Sequence, residues 1–489
     1  MTLGPPESKL AAPTGVNVRQ ATLGAANQSV GTTATGFTPD PAFGYAGLMW
    51  NYDRIGALRA WNSTTGSPSV TVGVSDTGLD YTHSELASKV DSVVDFTVNE
   101  SPPLCKTLFG TSDQELAKKM HAPADDDFYG HGTWIGGAIA GAADGKGING
   151  IAPSVRLVSL KIAQWCGFAY DSTMIDSFVY AADHGIPLVN ISFGGYLDFS
   201  DPGQSALYRA FQDAVSYANS KGTTIVAAAG NEHTRVGTNG RVTTHGTLTI
   251  PGDPLFDAFN LYEVPGGVDG VVDVASVGNV VRGSSASCPA GTTTGNATCK
   301  PASDPHQPFG VGQQSQLAYY SNYGPRIDVA GPGGARKFNV PNADRGGTPG
   351  FPYTTADQFT AFEDFGITSN FATQIPCFIL NSTAGFPKNQ CYTGIQGTSM
   401  AAPQAVGVLS LILSAHPELS NNPSGLVSML KSNATAGSNT TPGLSATDTS
   451  PGDATGVACP TGYCHFGGSA ITNTEVYGAG VVNAAFLAP

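Results

Sequence analysis

Four residues in this chain have the types and settings that acyl-transfer chemistry needs: Asp76, His131, Asn231 and Ser399. Asp76 follows the apolar run SVTVGVS (69–75) in an Asp-Thr-Gly turn. His131 opens the stretch HGTWIGGAIAGA, Asn231 closes TTIVAAAGN, and Ser399 opens SMAAPQAVG behind Gln396, Gly397 and Thr398. A serine hydroxyl is a weak nucleophile until a base stands within hydrogen-bond reach. Histidine suits that role near neutral pH. A carboxylate then fixes the imidazole tautomer and stabilises its charged form. An asparagine amide can donate to a developing oxyanion. Each residue alone has a plainer reading. An Asp after a strand is usually a turn residue, a His at a helix start is often structural, and a Ser there is usually a cap. Their joint occurrence, in order and in matching settings, favours chemistry.

The elements that would position them follow from periodicity. Strands are expected at 69–78, 156–162, 187–195, 223–231, 271–278 and 327–334, where β-branched and apolar residues run into turns. Helices are expected at 55–61, 131–142, 174–185, 205–222 and 399–415. Strands alternating with helices imply βαβ units, hence an α/β fold: a three-layer, doubly wound parallel sheet with helices on both faces. In such sheets, functional groups collect beyond the carboxyl ends of the strands, where Asp76 and Asn231 fall. Residues 1–45, rich in Ala, Thr, Gly and Pro, read as a poorly structured arm or residual pro-region, and 46–489 as one domain. Surface insertions are expected near 101–128, 281–318 and 333–395. Eight cysteines with no C-x-x-C pair fit four disulfides and an oxidising compartment. Sequence does not choose among the connectivities; pairing near neighbours gives 105–166, 288–299, 377–391 and 459–464.

Composition excludes several classes. The 489 residues carry 23 Lys and Arg against 37 Asp and Glu, a formal charge of −14. That argues against nucleic acid or a polybasic membrane contact. Charged residues are only 12%, about half the usual share. The most apolar run, 405–415, is short for a membrane span and reads as a buried helix. The start, MTLGPPESKL, lacks the regions of a signal peptide.

The text VSDTGLDYTHSEL (74–86), GHGTWIGGAIAG (130–141), VNISFGG (189–195), IVAAAGNE (225–232) and GTSMAAP (397–403) resembles the subtilisin-like serine peptidases, the subtilases. The resemblance spans about 50–489. It implies a secreted, monomeric serine endopeptidase acting on proteins or peptides through an Asp-His-Ser triad, made with a separate N-terminal pro-domain. By the resemblance Ser399 is the nucleophile, His131 the base, Asp76 its orienter and Asn231 an oxyanion donor. Ser192, Phe193 and Gly194 match the strand that pairs with substrate backbone. Ala228, Ala229 and Gly230 match a wall of the pocket for the residue before the scissile bond, implying a large apolar preference within a broad specificity. Glu232 matches an acid at its rim. A structural Ca²⁺ is implied by the spacing from His131 to Pro153, with Glu85, Ala142, Asp144, Lys146 and Ile148 as ligands. The chain departs from the family at Trp134 and Ile135, where His-Val is usual, and at Gln404, where His is usual. A sedolisin-type acid peptidase would need Glu for His131 and Asp near the oxyanion. An α/β-hydrolase lipase would need G-x-S-x-G and another residue order. A catalytically silent binding protein is disfavoured by the intact set.

Overall fold

A computed structural model describes residues 33, 35–44, 49–244, 257–279, 314–318, 320–334, 364–372, 375, 377, 386–387, 390–437 and 472–489. The strands are β1 (Thr71–Asp76), β2 (Val90–Asp95), β3 (Arg156–Lys161), β4 (Leu188–Ile191), β5 (Gly195–Leu197), β6 (Thr224–Ala228), β7 (Tyr262–Val264), β8 (Val272–Asn279), β9 (Gln314–Leu317), β10 (Val329–Pro332), β11 (Asp364–Thr368) and β12 (Cys391–Ile395). The helices are α1 (Trp50–Arg54), α2 (Ala57–Ala60), α3 (Leu104–Phe109), α4 (Asp113–Met120), α5 (His131–Ala140), α6 (Asp171–Asp183), α7 (Pro202–Ser220), α8 (Thr398–Ala415), α9 (Pro423–Ser432) and α10 (Asn473–Tyr477).

Seven parallel strands form the main sheet in the order β10-β8-β6-β4-β1-β3-β2, and β9 adds antiparallel to β8. Successive side chains of a strand point to opposite faces, so each apolar strand feeds two cores. Leu157, Leu188 and Val226 pack with α5 and α8 on one face. Val158, Val189 and Ile225 pack with α6 and α7 on the other. This is the expected three-layer α/β sheet. The polar strand β2, VDSVVD, was not legible as a strand because it is an edge with half-exposed residues.

Helix α5 is buried at all ten positions. Helix α8 is long and apolar enough to cross a membrane, but 89% of it lies inside the protein. Part of the stretch 333–395 is not at the surface. Strands β11 and β12 form an antiparallel ribbon over α5 that buries Ile367 and Tyr392. The ribbon accounts for Trp134: its indole N–H donates to the Thr393 carbonyl at 3.4 Å, and Gly366 leaves room for its ring. Gln404 is buried too, accepting from Asn51 Nδ2 at 3.3 Å.

The segment 101–128 carries α3 and α4 and is tied down at three points. These are the disulfide Cys105–Cys166, the Trp165 N–H donating to Asp113 at 2.8 Å, and the buried ion pair of Lys161 with Asp113 at 2.9 Å. Cys377–Cys391 is the second disulfide of the described residues. The pairings 288–299 and 459–464 fall outside them, as do most of the expected insertion at 281–318 and residues 1–32 of the arm. Residues 37–44, read from sequence as arm, pack on the domain: Phe37 and Phe43 meet the Trp61 ring at 5.1 and 5.4 Å.

A Cβ on Gly137 of α5 would sit 2.2 Å from Ile367 Cγ1 in the ribbon. Gly to Ala inside a helix ordinarily stabilises by about 0.5–1 kcal/mol. Here Gly137→Ala is expected to destabilise by about 1–3 kcal/mol through overpacking, read as a lower urea midpoint.

Candidate active site

The carboxyl end of β1 delivers Asp76, and the first residue of α5 is His131. Asp76 Oδ1 accepts from His131 Nδ1 at 2.8 Å, with Asp76 fully buried and His131 nearly so. The same oxygen accepts from the Thr77 N–H at 2.8 Å. With Nδ1 committed to Asp76, Nε2 is the ring atom left to exchange a proton.

The joint between strand and helix is built on a second carboxylate. Asp127 Oδ1 accepts from Thr77 Oγ1 at 2.9 Å, Tyr129 N–H at 3.0 Å and Gly130 N–H at 2.7 Å. Its Oδ2 accepts from the Thr133 N–H at 2.9 Å and Thr133 Oγ1 at 2.6 Å. Thr77 Oγ1 in turn accepts from the Gly132 N–H at 3.0 Å. These bonds satisfy the orphan donors of the α5 start and favour negative charge there. The neighbouring acids are held as well: Asp126 and Asp127 are fully buried, and Asp125 accepts from Tyr81 at 3.0 Å. Lys161 closes the turn by donating to the Thr77 carbonyl at 2.6 Å. Position 132 must be glycine, since a Cβ there would lie 2.1 Å from the Gly78 carbonyl oxygen.

Ser399 is the second residue of α8. Pro403 lies four residues on and has no N–H to offer the Ser399 carbonyl. Ser192 Oγ donates to that carbonyl instead, at 2.9 Å, and Ser399 Oγ donates to the Ser192 carbonyl at 3.2 Å. Next to Ser192, the Phe193 ring meets the His131 ring edge-on at 5.6 Å. The 192–193 segment thus touches both the nucleophile candidate and the base candidate. Asn231 Oδ1 accepts from the Thr398 N–H at 2.9 Å and Thr398 Oγ1 at 3.0 Å, which leaves its Nδ2 as the donating end. Sequence reading missed Thr398 and Thr77 as orienting residues, although both lie inside the matched motifs.

A cleft opens beside these groups, although Ser399 itself is fully buried and does not line it. His131, Asn231, Thr398, Ser192, Phe193 and Gly194 line it. Ala228 and Gly230 also line it, whereas Ala229 packs into the core with Ala275 and Val277. Glu232 lines the cleft, as does Glu263, which sequence reading did not single out.

A separate acid cluster lies behind α5. One carboxylate oxygen each of Asp40, Glu85 and Asp144 falls within 4.8 Å of the others. Glu85 accepts from Tyr392 at 2.8 Å, and Asp40 accepts from the Gly145 N–H at 2.9 Å. Asp40 Oδ2 and Glu85 Oε2 are buried without a donor among the described residues. The loop holding Ala142, Lys146 and Ile148 closes around the cluster: Ala142 N–H donates to the Glu85 carbonyl at 2.9 Å, and Lys146 Nζ lies 3.6 Å from Asp144. Oxygen-only donors with two unpartnered buried carboxylate atoms suit a hard divalent cation. Asp40 was hidden from sequence reading in the Pro-rich arm.

The family model for the subtilase family matches residues 67–450. A thermophilic serine proteinase of Bacillus sp. (strain AK1) is 32% identical over 196 residues, covering 40% of this chain and 41% of that protein. Thermitase of Thermoactinomyces vulgaris is 29% identical over 196 residues, 40% of this chain and 58% of that protein. The match thus spans roughly half the length of these relatives, or less. Among solved structures, a lanthipeptide protease aligns with TM-score 0.54 at 20% identity, over 92% of this chain and 99% of its own. An epidermin leader peptide processing serine protease from Staphylococcus aureus aligns with TM-score 0.55 at 17% identity, over 90% of this chain and 79% of its own. These two likenesses concern the fold.

The acid cluster has a measurable consequence. Burial pushes Asp40 up to about 7 and Glu85 up to about 8, against roughly 4 for unfolded carboxyls. The folded chain therefore binds more protons between about pH 4 and 8, and its stability falls as pH rises through that window. In chelator, the melting temperature is expected to drop from pH 5.5 to pH 8, and Glu85→Gln to flatten that slope.

Proposed function

The chain belongs to the subtilase family, and from that premise we propose that it is a secreted, monomeric serine endopeptidase that cleaves protein or peptide substrates through an acyl-enzyme. The observation that carries the reading is the imidazole of His131, bonded to buried Asp76 and lining the same cleft as Asn231 and Thr398. In this reading His131 Nε2 takes the proton of Ser399 Oγ as the oxygen attacks the scissile carbonyl. Asp76 holds the Nδ1–H tautomer and stabilises the imidazolium that forms. Asn231 Nδ2 and the Ser399 N–H donate to the oxyanion. His131 then gives its proton to the leaving amine, and water repeats the sequence on the ester.

An extended substrate would add alongside 192–194, with backbone bonds giving affinity and pockets giving preference. Walls made by Ala228 and Gly230 leave room for a large side chain before the scissile bond, so specificity is broad. Two disulfides and sparse charge support an oxidising, extracellular setting. Asp40, Glu85 and Asp144 would hold a structural Ca²⁺, with carbonyls of Ala142, Lys146 and Ile148 from the enclosing loop. The ion would neutralise the cluster and pin residue 40 to the loop.

Ser399→Ala is expected to lower peptide hydrolysis by at least about 10⁴-fold. Asn231→Leu should cost about 10²–10³ in kcat with KM little changed, a range known from the related subtilisin. Millimolar calcium should raise the melting temperature of the native protein but not of Glu85→Gln. Hydrolysis that survives Ser399→Ala would overturn the assignment.

A further inference from the structure

The cleft ends in more acid than its walls require. Strands β5 and β7 pair antiparallel with Tyr196 opposite Glu263, so these two side chains share a face. Both line the cleft, together with Glu232. The Tyr196 hydroxyl donates to Glu232 Oε2 and accepts from Asn322 Nδ2 at 2.7 Å. The Asn231 N–H also donates to Glu232 Oε2, at 2.9 Å. The carboxylate of Glu232 is thereby fixed beside the catalytic amide.

Glu263 is different. It is 3% exposed, its Oε2 meets no donor, and no cation lies within ion-pair distance of it among the described residues. A third carboxylate, Asp273, is buried behind it. A Cβ on Gly266 would lie 3.0 Å from Glu263 Oε1 and 2.8 Å from Asp273 Oδ1, so that glycine keeps room for both. The charge of the nearby Arg326 guanidinium favours the ionised forms of both acids, but its hydrogen bonds go to Asp328 and to the carbonyls of Val268 and Val271, each at 2.8 Å, and not to Glu263.

Resting on the peptidase reading, we propose that this pocket takes a cationic side chain, lysine or arginine, before the scissile bond, with Glu263 as the specificity-determining residue. A buried carboxylate without a partner is costly, and an arriving cation removes that cost. Burial, and then the charge of Asp273, push the Glu263 carboxyl well above its usual range although the charge of Arg326 opposes them; a cation in the pocket would act in the same sense as Arg326. A basic side chain also has an apolar stem to lie along Ala228 and Gly230 while its head reaches the acid. The pocket then prefers, among long side chains, those that carry charge.

The test uses peptide substrates that differ only in lysine or norleucine before the scissile bond, similar in length but not in charge. The expected kcat/KM ratio at pH 8 favours lysine by at least about tenfold, the worth of one charge-assisted hydrogen bond. Glu263→Gln should collapse that ratio towards one, chiefly by slowing cleavage of the lysine substrate. A second measurement needs no variant: benzamidine should inhibit the native protein competitively and far better than neutral benzamide. Norleucine cleaved as well as lysine, or a ratio unmoved by Glu263→Gln, overturns the pocket proposal and leaves the peptidase reading standing. No hydrolysis of either peptide overturns both.

Discussion

A buried carboxylate needs donors around it to offset the cost of burial, and Asp127 is where that requirement organises this molecule. Its five bonds come from the turn after β1, from the two residues leading into α5 and from the first turn of α5. Because every partner donates, the group has a place only as an acceptor, and it holds strand end and helix start in one relation. The bond between Asp76 and His131 is a consequence of that relation. Thr77 links the two acids: its N–H serves Asp76, and its hydroxyl serves Asp127 while accepting from Gly132.

The far side of the cleft meets an equivalent problem with different parts. Pro403 removes a helical donor, and Ser192, just past β4, supplies the replacement. One serine hydroxyl thus anchors the start of α8 against the main sheet. Thr398 does the complementary work for Asn231 by occupying its carbonyl oxygen. The groups proposed for catalysis therefore sit on helix starts and strand ends rather than on long loops, which is how a rigid scaffold keeps such groups in place.

Much of this was legible in the sequence, for physical reasons. Parallel strands buried on both faces are apolar throughout, so β1, β3, β4, β6 and β8 announced themselves, as did the small apolar helix α5. What stayed hidden depends on tertiary contact. Edge strand β2 is half polar, and the β11–β12 ribbon lies in a Gly-, Thr- and Pro-rich stretch without clear periodicity. Ala229 matched a pocket wall through its motif alone, but just past β6 it packs into the core with Ala275 and Val277. Asp40 and Glu263 were invisible because nothing local marks a carboxyl that long-range packing will bury. Trp134 departs from the family pattern for a reason found only 259 residues later, in the ribbon that covers it.

The central claim is that these parts form one activated hydroxyl. Labelling the native protein with a fluorophosphonate, followed by peptide mass spectrometry, tests it most directly. The account predicts a single adduct on Ser399, lost in Ser399→Ala and strongly slowed in His131→Ala. A folded protein that takes no label across pH 4–9 with calcium present, or one labelled at another serine, would contradict it.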